Sequence, residues 1–135
     1  MGYYMTQRDS SFNMNKANFD KALEAIKTLG SKENLEKAGN NYSWVDMDFV
    51  NSSDIKEALY MWRWEAEFDK DGNIDGIQFR GEKYGSDEIF MLRVIAPYVE
   101  NGSYIEMQGE EGERWRWVFN DGQCREVNSR IVWDE

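Results

Sequence analysis

The sequence predicts an α+β fold in which helices cover one face of a mainly antiparallel sheet. Three observations carry this. Residues 15–30 hold apolar side chains at 19, 22, 23, 26 and 29, the spacing of an amphipathic helix. Two Trp-rich stretches, near 62–68 and 103–119, alternate with a period of two, as half-buried strands do. The element order reads β, α, (α), β, β, α, β, β, β. Its first part is the βαββαβ, or ferredoxin-like, order, and extra strands follow at the C-terminal end. With 135 residues, one Pro and no Gly/Ser tract, the chain reads as one domain over 1–135.

Taken in order, residues 3–7 read as a strand that 11–14 extend or pair with. In the helix at 15–30, Asn15 caps the start and Gly30 closes the end. A short helical turn follows at 31–38, then an extended piece at 42–45. Asn51-Ser52-Ser53 caps a second helix over 54–61, where Asp54 and Glu57 suit the helix dipole. From Trp62, a strand puts Trp62, Trp64, Ala66 and Phe68 on one face and Arg63, Glu65 and Glu67 on the other. Asp69-Lys70-Asp71-Gly72 turns the chain, and 74–80 returns with a bulge at Gly76. Residues 87–96 form a third helix, stopped by Pro97.

The hairpin 103–119 is specified most fully. A three-residue loop, Glu110-Glu111-Gly112, with Gly112 left-handed, pairs residues so that Ile105 meets Trp117 and Met107 meets Trp115 on the buried face. Glu106 then meets Arg116, and Gln108 meets Arg114, on the wet face. Asn120-Asp121-Gly122 turns into a strand at 123–127, and 131–133 is a further strand.

Composition excludes several chemistries. There is no His, so Ser-His-Asp and Cys-His nucleophiles and His-ligated zinc have no basis. The single Cys, Cys124, has no internal disulfide partner and fits a reducing, cytoplasmic setting. No apolar run reaches the ~18 residues of a membrane span. The first residues lack a secretory apolar stretch. Gly2 and Thr6 match a short lipid-attachment pattern, while residues 3–6 read as the opening of a strand. The formal net charge of −10 opposes nucleic-acid binding and suits a basic protein partner.

Candidate sites each have a plainer reading. Residues 67–78 follow a calcium loop in part, with acids at 67, 69 and 71 and Gly72. Gln78 stands where a bidentate carboxylate belongs, and the flanks alternate like strands, so an Asp-rich turn accounts for them. Trp-Arg-Trp occurs at 62–64 and 115–117. Such triplets stack on bases, but in a strand both rings share the core face and Arg points outward. The acid pairs Asp46/Asp48, Glu110/Glu111/Glu113 and Asp87/Glu88 suit acid–base chemistry, although 26 acids make chance neighbours common. Residues 81–86 lack the ending of a phosphate loop and read as a turn. No catalytic, cofactor-binding or metal-ligating residue is assigned, and no cofactor is expected.

Gly2-Tyr3-Tyr4, Trp62-Arg63-Trp64-Glu65, residues 95–100, residues 102–107 and Trp115-Arg116-Trp117-Val118-Phe119 together resemble segments of small acidic proteins of phages and mobile elements of Gram-positive bacteria. The resemblance implies an intracellular accessory or defence-related role and carries over no catalytic residue. The expected function is non-enzymatic binding of a basic protein surface. The alternatives are a carboxylate-based, divalent-metal-dependent enzyme and a homodimer built through exposed strand edges.

Overall fold

A computed structural model describes residues 2–134. Seven strands and four α-helices alternate along the described chain. Strand β1 (Tyr3–Ser11) leads through a 3₁₀ turn into α1 (Phe19–Lys27), which ends in another 3₁₀ turn before α2 (Lys32–Lys37). Asn15 caps the entry with its side-chain oxygen on the Ala17 N–H at 2.8 Å. A 3₁₀ turn (Met47–Asn51) precedes α3 (Ile55–Met61), whose cap is Asp54, accepting from the Glu57 N–H at 2.8 Å. Then come β2 (Trp64–Phe68), β3 (Ile74–Phe79), the two-residue β4 (Lys83–Tyr84) and α4 (Glu88–Ile95). Strands β5 (Tyr104–Gly109), β6 (Arg114–Asn120) and β7 (Gln123–Asn128) complete the order.

The α+β class holds, with antiparallel pairing throughout, but the strands do not reproduce the ferredoxin-like order. Five form one sheet, β4-β1-β5-β6-β7, while β2 and β3 pair only with each other. The reason lies in β1. It pairs antiparallel with β5 over most of its length and with β4 only at Tyr3 and Tyr4, and the rest of that second edge carries no backbone ladder to β2 or β3. The Gln7 side chain joins the two sheets instead. Its amide donates to the Ile77 carbonyl at 2.8 Å and accepts from the Phe79 N–H at 2.7 Å. An isolated bridge between Met14 and Ile74 adds a second tie.

The β5–β6 hairpin has the predicted register, pair for pair, and Gly112 sits at φ 90°. The bulge expected at Gly76 falls one residue earlier: Glu67 faces Gly76 and Phe68 faces Ile74, leaving Asp75 unpaired. The third helix ends at Ile95, just before Pro97 as expected, and Pro97 sits at the start of a following 3₁₀ turn, Ala96–Tyr98, where its missing N–H is tolerated. The extended piece at 42–45 is a turn anchored by the buried Tyr42, whose hydroxyl donates to the Leu29 carbonyl at 2.6 Å. Residues 131–133 are unpaired and exposed, Trp133 at 84%, so the last expected strand does not form.

One continuous cluster makes the core. It takes Ala22, Leu23 and Ile26 from α1, Ala58 and Leu59 from α3, Met91, Leu92 and Ile95 from α4, and the inward residues of both sheets. Trp62, Trp64 and Trp117 lie within it at 1%, 0% and 1% exposure, so three of the indoles turn inward, Trp64 and Trp117 from strands and Trp62 from the end of α3. No helix among the described residues is long and apolar enough to cross a membrane.

Candidate functional site

The five-stranded sheet curls so that its β4 edge reaches over to β6. Tyr84 of the edge strand β4 packs edge-to-face on Trp115 of β6, with ring centroids 5.7 Å apart, although β1 and β5 separate those strands in the sheet. The core-facing side of the sheet is thereby the inside of a trough. Its period-two rows run from the core outward: Met5 to Tyr3 on β1, Trp117 to Trp115 and Glu113 along β6, Cys124 to Glu126 and Asn128 on β7. At the open end these side chains line a cleft.

The cleft has two parts that share Tyr84 and Glu126. The outer part, ≈ 260 Å³, is lined by Tyr3, Tyr84, Glu113, Trp115, Glu126 and Asn128. The inner part, ≈ 210 Å³, adds Ser86, Glu88, Arg93 and Trp117. The Tyr3 hydroxyl donates to Glu113 Oε1, and Trp117 Nε1–H donates to Glu126 Oε1 at 2.9 Å. Gly109 makes the first of these bonds sterically feasible, because a Cβ there would collide with the Glu113 carboxylate and the Tyr3 hydroxyl. Burial raises the Tyr84 phenol above its ordinary value, the carboxylates of Glu126 and Glu88 raise it further, and a hydrogen bond with Ser86 opposes them. Burial likewise raises the Tyr3 phenol, reinforced by its bond to Glu113. Both rings therefore stay neutral at physiological pH.

Behind the inner part lies a buried ion pair. Arg63 Nη2 meets Glu88 Oε1 at 2.5 Å, with side-chain exposures of 12% and 2%. Arg63 Nη1 donates to the Lys83 carbonyl at 2.6 Å, and the Gly85 N–H donates to Glu88 Oε1 at 2.6 Å. Glu88 Oε2 is buried with no partner among the described residues. Backbone strain gathers here as well. Arg63 at φ 76° and Ser86 at φ 69° are left-handed without being glycine. So is Trp44 at φ 64°, in a loop held to α4 by the Ser43 N–H donating to Asp87 Oδ2 at 2.7 Å.

This arrangement corrects two sequence expectations. Trp62 ends a helix rather than opening a strand, so the left-handed Arg63 turns inward instead of lying on a wet strand face. Glu88, read from sequence as half of an Asp87/Glu88 acid pair, is the buried partner of that Arg. The second triplet behaves as expected: Trp117 faces the core, and Arg116 pairs outward with Glu106 at 2.8 Å. Asp46 and Asp48 share no strand. Asp46 caps a 3₁₀ turn through the Asp48 N–H at 3.0 Å, and Asp48 accepts from Asn51 Nδ2 at 2.7 Å. Of the 110–113 acids, Glu110 accepts from the Tyr4 N–H at 2.8 Å, and only Glu113 reaches the cleft.

The 69–73 loop is a self-satisfied turn between β2 and β3. Asp69 Oδ1 accepts from the N–H groups of Asp71 and Asn73 at 2.9 and 3.0 Å, and the Lys16 ammonium sits on the Asp71 carbonyl at 2.9 Å. Among the described residues, no three His, Cys, Asp or Glu side chains gather closely enough to hold a metal ion. Desolvation pushes the Asp69 carboxyl up, but the N–H donors of Asn73, Asp71 and Gly72 outweigh it, and the net shift is below the ordinary 3.8. Its stabilising contribution is therefore complete above pH 3.8 and is lost as pH falls through the lowered value. Asp69→Ala is expected to lower stability at neutral pH and to cost progressively less in that acid window. Urea titrations on both sides of the window check this, and an equal loss at both pH values would refute it.

Cys124 belongs to the core rather than to any reactive site, and burial pushes its thiol up to about 12. No protein-family model, curated protein or solved structure matches this chain. What the fold and the site define is an α+β protein with a ring-and-carboxylate cleft at the open end of a curled antiparallel sheet.

Sequence reasoning missed the cleft, yet it left a signal. Glu113 has the parity of Trp115 and Trp117, and Glu126 that of Cys124, so two acids occupy positions whose strand neighbours point to the core. Acids at inward positions mark either an edge or a site.

Proposed function

We propose that this is a non-enzymatic binding protein, an accessory protein of phage or mobile-element origin acting in the cytoplasm, that engages a basic surface of a protein partner. The observation that carries the reading is the outer cleft: three aromatic rings and two carboxylates, with no Lys or Arg among its walls. A formal net charge of −10 supports it, because opposite charge draws a basic partner in and accelerates encounter. Carboxylates that accept bonds from a phenol and an indole are committed to holding geometry, which suits recognition more than proton transfer.

The test is affinity capture at low ionic strength from cells that express the protein, followed by a salt gradient. The expected result is a partner with a basic surface, released as salt screens the attraction. Capture that is indifferent to salt, or of acidic proteins alone, would overturn the reading.

A further inference from the structure

Resting on that reading, we infer that the cleft receives one alkylammonium group, the side chain of a lysine on the partner. Three features specify the cation. First, Tyr84 and Trp115 meet at an interplanar angle of 72°, so they form a corner, and Tyr3 stands beside them on the neighbouring strand, opposite Tyr84 in the β1–β4 register. Ring faces set at an angle attract a cation placed between them.

Second, Glu113 and Glu126 have no ion-pair partner among the described residues. Each commits its Oε1 to a neighbour, Glu113 to the Tyr3 hydroxyl and Glu126 to the Trp117 indole, leaving Oε2 as the free acceptor. A guanidinium fork prefers both oxygens of one carboxylate, whereas an ammonium is satisfied by single oxygens from different groups. The acceptor set therefore favours lysine over arginine.

Third, the cleft continues inward to Glu88, whose Oε1 already holds Arg63 and the Gly85 N–H but whose second oxygen has no partner among the described residues. The inner part shares Tyr84 and Glu126 with the outer part and is also lined by Glu88, whose Oε2 is buried and unpartnered. Glu113 and Glu126 wall the outer part, and Glu126 and Glu88 the inner part beside Arg93, so the ammonium belongs in the cation-free outer part. The lysine stem is apolar and its tip carries three donors, which matches ring walls leading to carboxylate oxygens. Shape and charge agree on the same occupant.

The experiment follows the indole N–H signals of the ¹⁵N-labelled protein at low ionic strength. The added probes are Nα-acetyl-lysine amide, Nα-acetyl-arginine amide and the uncharged Nα-acetyl-norleucine amide. The lysine probe is expected to shift the Trp115 and Trp117 signals saturably and to lose its effect in added salt. Arginine should bind more weakly and norleucine not measurably. The variant E113Q/E126Q keeps an acceptor oxygen for Tyr3 and for Trp117 while removing both charges, so the fold is retained. Its unchanged spectrum elsewhere checks that, and its affinity for the lysine probe should fall at least roughly fivefold. Equal shifts with norleucine, no shift with lysine, or undiminished binding by E113Q/E126Q would each overturn the lysine cleft. Salt-sensitive capture of a basic partner that survives E113Q/E126Q would leave the broader binding reading standing while removing this one. Loss of capture by the wild-type chain would remove both.

Discussion

Arg63→Ala is expected to destabilise the fold by about 3–5 kcal/mol, the range for breaking a buried ion pair from one side. The Arg63 side chain is 12% exposed and Glu88 2%, so little water reaches either. Removing the guanidinium leaves a buried carboxylate with one N–H donor, from Gly85, and leaves the Lys83 carbonyl without its side-chain donor. Two further variants separate the causes. Arg63→Gly loses the same pair but relieves the left-handed backbone at φ 76°, so it should be less damaging than Ala by about 1 kcal/mol. Replacing both partners, as R63M/E88L, should restore much of the loss, because no unpaired charge remains. Urea unfolding followed by Trp fluorescence measures all three. A loss below about 1 kcal/mol for Arg63→Ala would mean that the pair behaves like an exposed one.

Trp117→Ala should be similarly damaging, about 3–5 kcal/mol, as for other large aromatic truncations in cores. The Trp117 ring lies between Trp64 at 6.2 Å and Trp115 at 6.1 Å, edge-to-face with both. The ring thus joins the two-stranded sheet, the core of the five-stranded sheet and the wall of the cleft. Its N–H is also the only donor recorded on the Glu126 carboxylate among the described residues. Trp117→Phe separates packing from polarity: it keeps an aromatic in the stack and loses the N–H, for an expected loss of about 1–3 kcal/mol. If Phe proved as damaging as Ala, the hydrogen bond rather than the stack would be the main contribution.

Local chemistry made much of the fold legible. The β5–β6 register followed from a Gly at the left-handed loop position and from matched faces, both readable within seventeen residues of sequence, 103–119. The α1 region followed from its apolar spacing and its Asn15 cap. Features set by distant contacts were not legible. Strand β4 is two residues long, too short for any period, and exists because β1 offers it a partner. Arg63 was assigned to a wet strand face because period two was extended back through Trp62, whereas the helix ends there and a left-handed residue reverses the side chain. Residues 131–133, Ile-Val-Trp, are strong strand formers but find no neighbour, which shows propensity yielding to the absence of a partner. The cleft depends on sheet curl, a property of the whole sheet that no segment encodes alone.

The Gln7 side chain has a dynamic consequence. Where a continuous sheet would carry a ladder across β1 and β3, one carboxamide closes two hydrogen bonds to the backbone of β3. Rotation about a few side-chain torsions can undo that joint without unzipping either set of paired strands. The β2–β3 ribbon is held to the larger sheet by that side-chain latch together with the Met14–Ile74 backbone bridge and the shared core around Trp64 and Ile77. Its detachment would have to break that bridge as well, and would take Trp64 away from Trp117 on the cleft wall.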